Sequence, residues 1–341
     1  MILLLCFDLR RRGGIERLSL QVRDALERHG TTVKVISTRR LGPGSLGRWL
    51  GRCVFVLQLL WWQPRAQQVL SMHVLLLKPA LWLKPQQLSC WLHGIEVWGA
   101  AGRKHAGDLQ RCQQLIASSQ FTLNQLSFRP QRAAVVHPMA DLIDAELKPT
   151  PIPAELRLLT VARLCSQENY KGHGLILQAL AQLPAAIHWH VVGDGDQRPQ
   201  LEAEARGLGL TQQVQFSGSL NDQELREAFE NCSVFVMPSR FEIKSNGDAT
   251  GEGFGIVYLE AALAGRASIA CDQGGQSDFI IDGESGWLIP PDISALTSVL
   301  SDLLQNPAEI KRRGQLARSR ALEQFGCERF DQALSQAIEV Y

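Results

Sequence analysis

Val234-Phe-Val-Met-Pro-Ser239 and, after a polar stretch, Glu252-Gly-Phe-Gly-Ile-Val-Tyr-Leu-Glu260 read as a buried strand leading to a helix opened by glycines. Four consecutive apolar residues stopped by proline suit a parallel strand covered on both faces. Gly253 and Gly255 start a helix whose first N–H groups have no partner inside it, and such groups can receive a phosphate. Glu260 falls two turns into that helix. Two carboxylates, Glu252 and Glu260, therefore bracket an anion-binding place at the carboxyl end of a strand, which is where open parallel sheets hold ligands.

Reading outward, the same alternation repeats on the amino-terminal side. Strand Arg157–Val161, helix Gly174–Leu183, strand Ile187–Val192, helix Gln197–Gly207, strand Val214–Ser217 and helix Asp222–Asn231 precede strand Val234–Met237. Helix Ile256–Ala264, strand Ser268–Cys271 and two or three helices from Ile293 to Tyr341 follow. Lys148-Pro-Thr-Pro-Ile-Pro153 places three prolines in six residues, so it is a stiff connector and the expected domain boundary. Ahead of it lies a βαβ unit of strand Ile2–Phe7, helix Ile15–His29 and strand Thr32–Ser37. Strands are then expected at Val69–Leu77, Leu88–Leu92, Leu115–Ala117 and Ala134–His137. The fold class is α/β, with two Rossmann-like doubly wound domains facing a central cleft. Their expected extents are 1–150 and 151–326, with a final helix, 327–341, packing back toward the first domain.

Length and composition agree with this division. A chain of 341 residues, 45% hydrophobic and 20% charged, is too long for one ordinary core and suits two domains. The opening apolar run Ile2–Cys6 meets Asp8 and an arginine cluster, which is no signal peptide. Runs such as Cys53–Trp62 are short of the roughly 20 residues needed to span a bilayer. The eight cysteines are scattered singly, without a C-x-x-C pair, and read as reduced thiols of a cytoplasmic protein. His188 and His190 share a strand face but lack further ligands at metal spacing, so no metal is expected there. The net charge of +1 conceals an asymmetry: residues 1–150 hold 20 Lys and Arg against 9 Asp and Glu, a net of +11, and the remainder is −10. The basic half could face an acidic acceptor or an anionic membrane, or the two halves could attract each other. No nucleic-acid-binding motif accompanies the charge.

The remaining candidate site residues also follow strands. Gly13-Gly14 closes the loop after the first strand and feeds a helix; it is either a ligand-approach loop or a structural turn. Without G-x-G-x-x-G, or an acidic residue ending the second strand, it is not a dinucleotide fingerprint, which disfavours a nicotinamide-dependent oxidoreductase. His93 follows strand Leu88–Leu92 and precedes a glycine; a lone histidine is either structural or, at a strand's carboxyl end, placed to hydrogen-bond a transferring group. Arg163 follows strand Arg157–Val161 and Lys171 comes eight residues later. Each alone could be a solvated surface charge; together they suit a diphosphate, because a leaving pyrophosphoryl group needs fixed positive partners. Asp194-Gly195-Asp196 formally fits a metal-binding D-x-D pattern, but its place between strand and helix favours a turn. Residues 242–251 form a long polar insertion, either an ordering lid or a surface loop. Arg39, Arg40, Arg48 and Arg52 interleave with Trp49, Leu50, Val54, Trp61 and Trp62. That stretch suits either a membrane interface or a packed helix with its tryptophans in the core.

Taken in order, Gly13-Gly14, His93-Gly94, Arg163 and Lys171, Val191-Val-Gly-Asp-Gly195, Phe216-Ser-Gly218, Val236-Met-Pro-Ser239 and the E-x7-E element resemble the retaining glycosyltransferases of the GT-B fold, family 4. The resemblance runs over nearly the whole chain. It implies transfer of a hexose from a UDP- or GDP-sugar to a glycan, lipid-linked or small-molecule acceptor, by front-face transfer with no metal and no cofactor. It implies that Arg163 and Lys171 bind the donor diphosphate, Glu252 the donor sugar hydroxyls, Glu260 the ribose, and the Gly255–Ile256 amides a phosphate. His93 completes the catalytic set, and Gly13, Gly14, Ser239, Gly253 and Phe254 complete the donor-binding set. From chemistry alone Glu252 could have been a nucleophile in a double displacement; the resemblance argues against it. Many members of the family place the lysine nearer the arginine than here. A sugar phosphorylase, a nucleotide-sugar epimerase and a non-catalytic sugar- or membrane-binding subunit are the rival expectations.

Overall fold

The computed structural model describes residues 1–10, 13–39, 41–42, 44–82 and 84–338, with the side chains of Arg48 and Gln63 also outside the description. The chain forms two compact units. The first comprises Met1–Met139, Ser245–Ala249 and Cys327–Tyr341; the second comprises Ala140–Lys244 and Thr250–Gly326. The division falls ahead of the proline-rich connector, which belongs entirely to the second unit. There Arg266, buried, donates to Thr150 O, Thr150 Oγ1, Phe229 O and Glu230 O and fixes the connector in place.

In the first unit, β1 (Ile2–Cys6), α1 (Gly14–Arg28), β2 (Val33–Ser37), α2 (Gly44–Trp62), β3 (Gln68–Ser71), α3 (Leu77–Trp82), β4 (Gln87–Leu92), α4 (Gly99–Leu109), β5 (Gln114–Ala117), α5 (Gln120–Asn124) and β6 (Ala133–Val135) follow in turn. The strands form one parallel sheet in the order β2-β1-β3-β4-β5-β6. β1 lies inside the sheet and all five of its residues are buried, which accounts for its unbroken Ile-Leu-Leu-Leu-Cys run. The second unit contains β7 (Leu156–Val161), α6 (His173–Leu180), β8 (Ile187–Val192), α7 (Arg198–Gly207), β9 (Val214–Gly218), α8 (Asp222–Glu230), β10 (Val234–Met237), β11 (Glu242–Ile243), β12 (Ala249–Thr250), α9 (Ile256–Leu263), β13 (Ala267–Cys271), β14 (Gly286–Ile289), α10 (Ile293–Gln305) and α11 (Pro307–Gln324). Of these, Ala249 counts with the first unit. Its main sheet, order β14-β13-β10-β7-β8-β9, is again parallel. α12 (Cys327–Ile338) returns to the first unit, where Phe330, Leu334, Ala337 and Ile338 share a core with Ile2, Leu4, Leu18 and Val22.

Two readings are corrected, and one strand had not been expected. The apolar run Val69–Leu77 is not one strand: β3 ends at Ser71, and a 3-10 turn over Val74–Leu76 leads into α3. His73 makes the break, its Nδ1 accepting from Leu75 N–H at 3.2 Å. A short buried apolar run carries no period that separates strand from helix. β14 had no counterpart in the sequence reading; its Trp287 is covered by the Arg313 guanidinium, 4.3 Å from the ring centroid. The tryptophans of the Arg39–Trp62 stretch are not core residues. α2 turns Gly47, Gly51, Phe55 and Leu59 inward and leaves Trp49 and Trp61 exposed; Arg40 and the Arg48 side chain lie outside the described residues.

Phe330 stacks near Trp91, with ring centroids 6.5 Å apart, at the heart of the first unit's core. Phe330→Ala should lower the unfolding free energy by about 3–5 kcal/mol, the range for truncating a large buried aromatic. Urea denaturation measures it, and a loss below about 1 kcal/mol would show that α12 adds little to that core.

Candidate functional site

All the strands of the second unit's main sheet point the same way, so the loops after β7, β10 and β13 open at one edge. The loop after β7 carries Arg163 and a 3-10 turn, Ser166–Lys171. Lys171 is nearly buried and its Nζ lies 2.6 Å from Glu252 Oε2; the two side chains are 12% and 15% exposed. Burial by itself would lower the lysine pKa, but the Glu252 carboxylate outweighs it and holds Lys171 above its ordinary value. The Tyr170 ring lies beside the ammonium, 5.2 Å from centroid to Nζ. Arg163 stands apart from this pair: it is 80% exposed and its guanidinium is ion-paired with Glu168. Sequence reasoning thus named both cations, and the structure brings only Lys171 against a named carboxylate.

The carboxylate is positioned by the start of α9. Gly255 caps the helix at φ +83°, a left-handed conformation that suits glycine, and a Cβ there would come 2.4 Å from the Tyr258 ring. Tyr258 Oη in turn donates to Met237 O at 2.5 Å, tying the first turn of α9 to the end of β10. The Ile256 N–H belongs to that first turn, where amides lack an intrahelical acceptor. Ser239, just past β10, is fully buried, and its Oγ has no hydrogen-bond partner among the described residues. Glu260 is buried within α9. Phe254 is buried with its ring 6.0 Å from that of Phe325, so it offers a ligand backbone rather than ring. Gly253 belongs to the segment that the next loop braces.

Sequence reasoning missed that brace. Gly274 and Gly275 follow β13, and the Gly275 N–H donates to Glu252 O at 2.8 Å. A Cβ on Gly275 would sit 1.9 Å from Gly253 O, so only glycine permits the approach. Gln276, fully buried, donates from Nε2 to Cys271 O and Gln273 O, both at 2.9 Å. The available signal was a Gly-Gly pair in the loop after a strand, as at Gly13-Gly14. Asp194 and Asp196 are engaged in turns. Asp196 accepts from Ser166 N–H at 2.9 Å and from its hydroxyl, and Asp194 accepts from Gly195 N–H at 2.8 Å. Among the described residues there is no group of three or more His, Cys, Asp or Glu arranged to hold a metal ion.

In the first unit, Gly13 caps α1, whose first residue is Gly14 rather than Ile15. His93 follows β4; its backbone N–H donates to Glu96 Oε1 at 2.5 Å and its Nε2 lies 2.6 Å from Met72 O. A carbonyl only accepts, so Nε2 carries the proton and a neutral His93 has Nδ1 to accept from a hydroxyl. His73 stacks on His93 at 5.8 Å and meets Phe7 at 4.9 Å between centroids. Burial lowers the His73 pKa to about 4, with Glu96 opposing and His93 reinforcing the shift.

Two cavities of the second unit differ in meaning. An open groove of about 730 Å³, lined by Arg157, His188, Gln213 and Asn231, lies at the amino ends of β7 to β9, away from the candidate site. A smaller one of about 270 Å³, lined by Asn169, Gly172, Gln197, Pro238 and Arg240, adjoins the Lys171 loop at the carboxyl ends.

Residues 155–306 match the family model "Glycosyl transferases group 1". In structure the chain is similar to Anabaena Alr3699/HepE, solved in complex with UDP and glucose, at TM-score 0.77 and 20% identity over 100% of this chain and 99% of that one. It is also similar to a sucrose-phosphate synthase from Thermosynechococcus elongatus, at TM-score 0.81 and 18% identity over 99% and 98% of the chains. This chain has the fold of the GT-B glycosyltransferases. Its second unit, the GT-B half that carries Lys171, Glu252 and Glu260, is the part the group 1 model matches. In sequence this chain is 30% identical over 159 residues to a GDP-mannose-dependent alpha-(1-6)-phosphatidylinositol monomannoside mannosyltransferase of Mycolicibacterium smegmatis, taking in 46% of this chain and 41% of that relative. The chain thus spans less than half the length of the first curated relatives it matches.

The buried pair yields a two-step test. Lys171→Met leaves a nearly buried carboxylate without its cation and should cost about 3 kcal/mol; adding Glu252→Gln should restore part of that loss. A double variant whose loss equals the sum of the losses in Lys171→Met and Glu252→Gln alone, by urea denaturation, would show that the two groups are not coupled. Because the lysine pKa is raised, the stability linked to the lysine's own titration is complete below about 10.4 and falls as pH climbs through the folded value.

At acid pH buried and half-buried histidines take over, His105 and His190 being lowered by burial in the same direction as His73 and His173. Burial lowers His73 and His173 to about 4 each, so between that value and the unfolded value of about 6.5 the unfolded chain binds more protons. Stability is full above about 6.5 and should fall as pH drops toward 4. Melting temperature against pH checks this, and an unchanged acid limb in His173→Gln would assign the loss elsewhere.

Proposed function

We propose that this chain transfers a hexosyl group from a UDP- or GDP-sugar to a hydroxyl of a glycan, lipid-linked or small-molecule acceptor, with retention of configuration and without a metal or cofactor. The observation that carries the reading is the Lys171–Glu252 pair at the head of α9, in the half that the group 1 family model matches. Lys171 uses one of its three donors on Glu252 and has others for diphosphate oxygens. The Gly255–Ile256 amides meet a phosphate, Glu252 receives hydroxyls of the donor sugar, and Glu260 the ribose. Arg163, exposed on its loop, folds its guanidinium onto the same diphosphate. The unpartnered Ser239 hydroxyl serves as a further polar contact, and His93 hydrogen-bonds a hydroxyl of the transferred sugar.

In the step itself the acceptor oxygen bonds to the anomeric carbon as the bond from that carbon to the phosphate oxygen breaks. The acceptor proton passes to the departing phosphate oxygen, and nucleoside diphosphate leaves. Attack from the side of the leaving group retains configuration and needs no protein nucleophile. Lys171 stabilises charge as it grows on the diphosphate, the kind of fixed donor whose removal costs about 10²–10³ in rate. The eight free cysteines support a reducing, cytoplasmic setting.

A thermal-shift panel of UDP, GDP and ADP should single out one nucleotide. With the corresponding sugar, turnover should fall at least ~100-fold in Glu252→Ala and Lys171→Ala, persist in EDTA and give an α-linked product from an α-donor. Full loss in EDTA would overturn the metal-free mechanism, an inverted product the retaining one, and conversion of the donor without acceptor would make the chain an epimerase.

A further inference from the structure

α2 is apolar nearly all round, yet only one side of it is covered. Gly47, Gly51, Phe55 and Leu59, at four-residue spacing, are buried toward the sheet; Trp49, Leu50, Val54, Leu57, Leu60 and Trp61 line the outer side and are exposed, Trp49 by 60% and Leu57 by 64%. A contiguous apolar stripe of this size needs a cover. A second element of the same unit repeats the chemistry: Leu75, Lys78 and Trp82, at helical spacing, are exposed, Trp82 by 75%. The β2→β3 and β3→β4 connections step the same way across the sheet, so right-handed crossovers put α2 and α3 on one face of it.

The charge around the stripe decides what covers it. From His29 to Ile95 the sequence has eight lysines and arginines and not one aspartate or glutamate. Arg39, Arg52, Arg65, Lys78 and Lys84 of that set are exposed. A second copy docked symmetrically would set this acid-free face against itself, with like charges opposed. A nucleic acid would leave the leucines and valines without a partner. An anionic bilayer surface satisfies both halves, apolar side chains entering the acyl boundary while arginines and lysines meet headgroup phosphates. Cations already stand over the tryptophans at the helix end, Arg65 at 5.0 Å from Trp61 and Lys34 at 4.6 Å from Trp62. No helix among the described residues is long and apolar enough to cross a membrane.

We propose that the exposed side of α2, with α3 beside it on the same sheet face, docks this chain onto an anionic lipid bilayer. The full chain should co-sediment with vesicles of phosphatidylcholine and phosphatidylglycerol at least ~10-fold better than with phosphatidylcholine alone, and salt should weaken the binding. Trp49→Ser/Leu57→Ser/Trp61→Ser should reduce vesicle binding at least ~10-fold with unchanged circular dichroism and unchanged melting shift by nucleotide. Arg52→Gln/Arg65→Gln should weaken the preference for anionic over neutral vesicles while leaving residual binding. A chain that stays in the supernatant with anionic vesicles at low salt, or a triple variant that binds like the parent, overturns the proposal. So does a lipid-free dimer, by light scattering, that the triple variant abolishes: a second copy then covers the stripe. The melting shift by nucleotide reads the donor half separately, so its failure would count against the transferase and not against the lipid surface.

Discussion

Lys171 and Glu252 are placed in contact by two loops that are far apart in sequence. A nearly buried ammonium is tolerable only beside a carboxylate, and the reverse holds equally. The pair therefore fixes the loop after β7 against the segment that opens α9. The surrounding features serve that alignment: Gly255 gives α9 its abrupt start, Tyr258 ties its first turn to β10, and the glycine pair after β13 supports Glu252 from beneath. Charge and geometry reinforce each other, because a satisfied buried polar pair rigidifies the backbone that holds it.

How much of this the sequence disclosed follows from which signals are local. β1 and β10, buried at every residue, announce themselves as unbroken apolar runs, while β7 and β8 interleave arginine, threonine or histidine with apolar residues; all four lie close to where the sequence puts them. The start of α9 was equally legible, since glycines before a helical period mark a helix start. The break at His73 was not, because it turns on one imidazole capping a turn inside an apolar run. Nor was β14, a four-residue strand whose tryptophan is covered by an arginine distant in sequence.

In the site, the residue types were legible and their pairing was not. Arg163 and Lys171 look alike in sequence, but one is exposed beside Glu168 and the other is nearly buried against Glu252. The Gly275 approach to Gly253 depends on a contact between separate loops, which one sequence cannot encode in a local pattern. Phe254 is the converse case: its position in the motif suggested a ligand contact, and its ring is packed in the second unit's core beside Phe325.

The placement of α12 bears on how the chain acquires its structure. The first unit's core joins Ile2, Leu4 and Leu18 to Phe330 and Leu334, residues separated by the entire second unit. A ribosome delivers the amino-terminal strands long before the helix that covers them exists. Until residues 327–338 have been made, the surface meant for α12 has no cover of its own, while the second unit can already fold. Assembly therefore runs against the order of synthesis: the first unit to emerge is the last to be finished, and the interval is one in which a chaperone has apolar surface to hold.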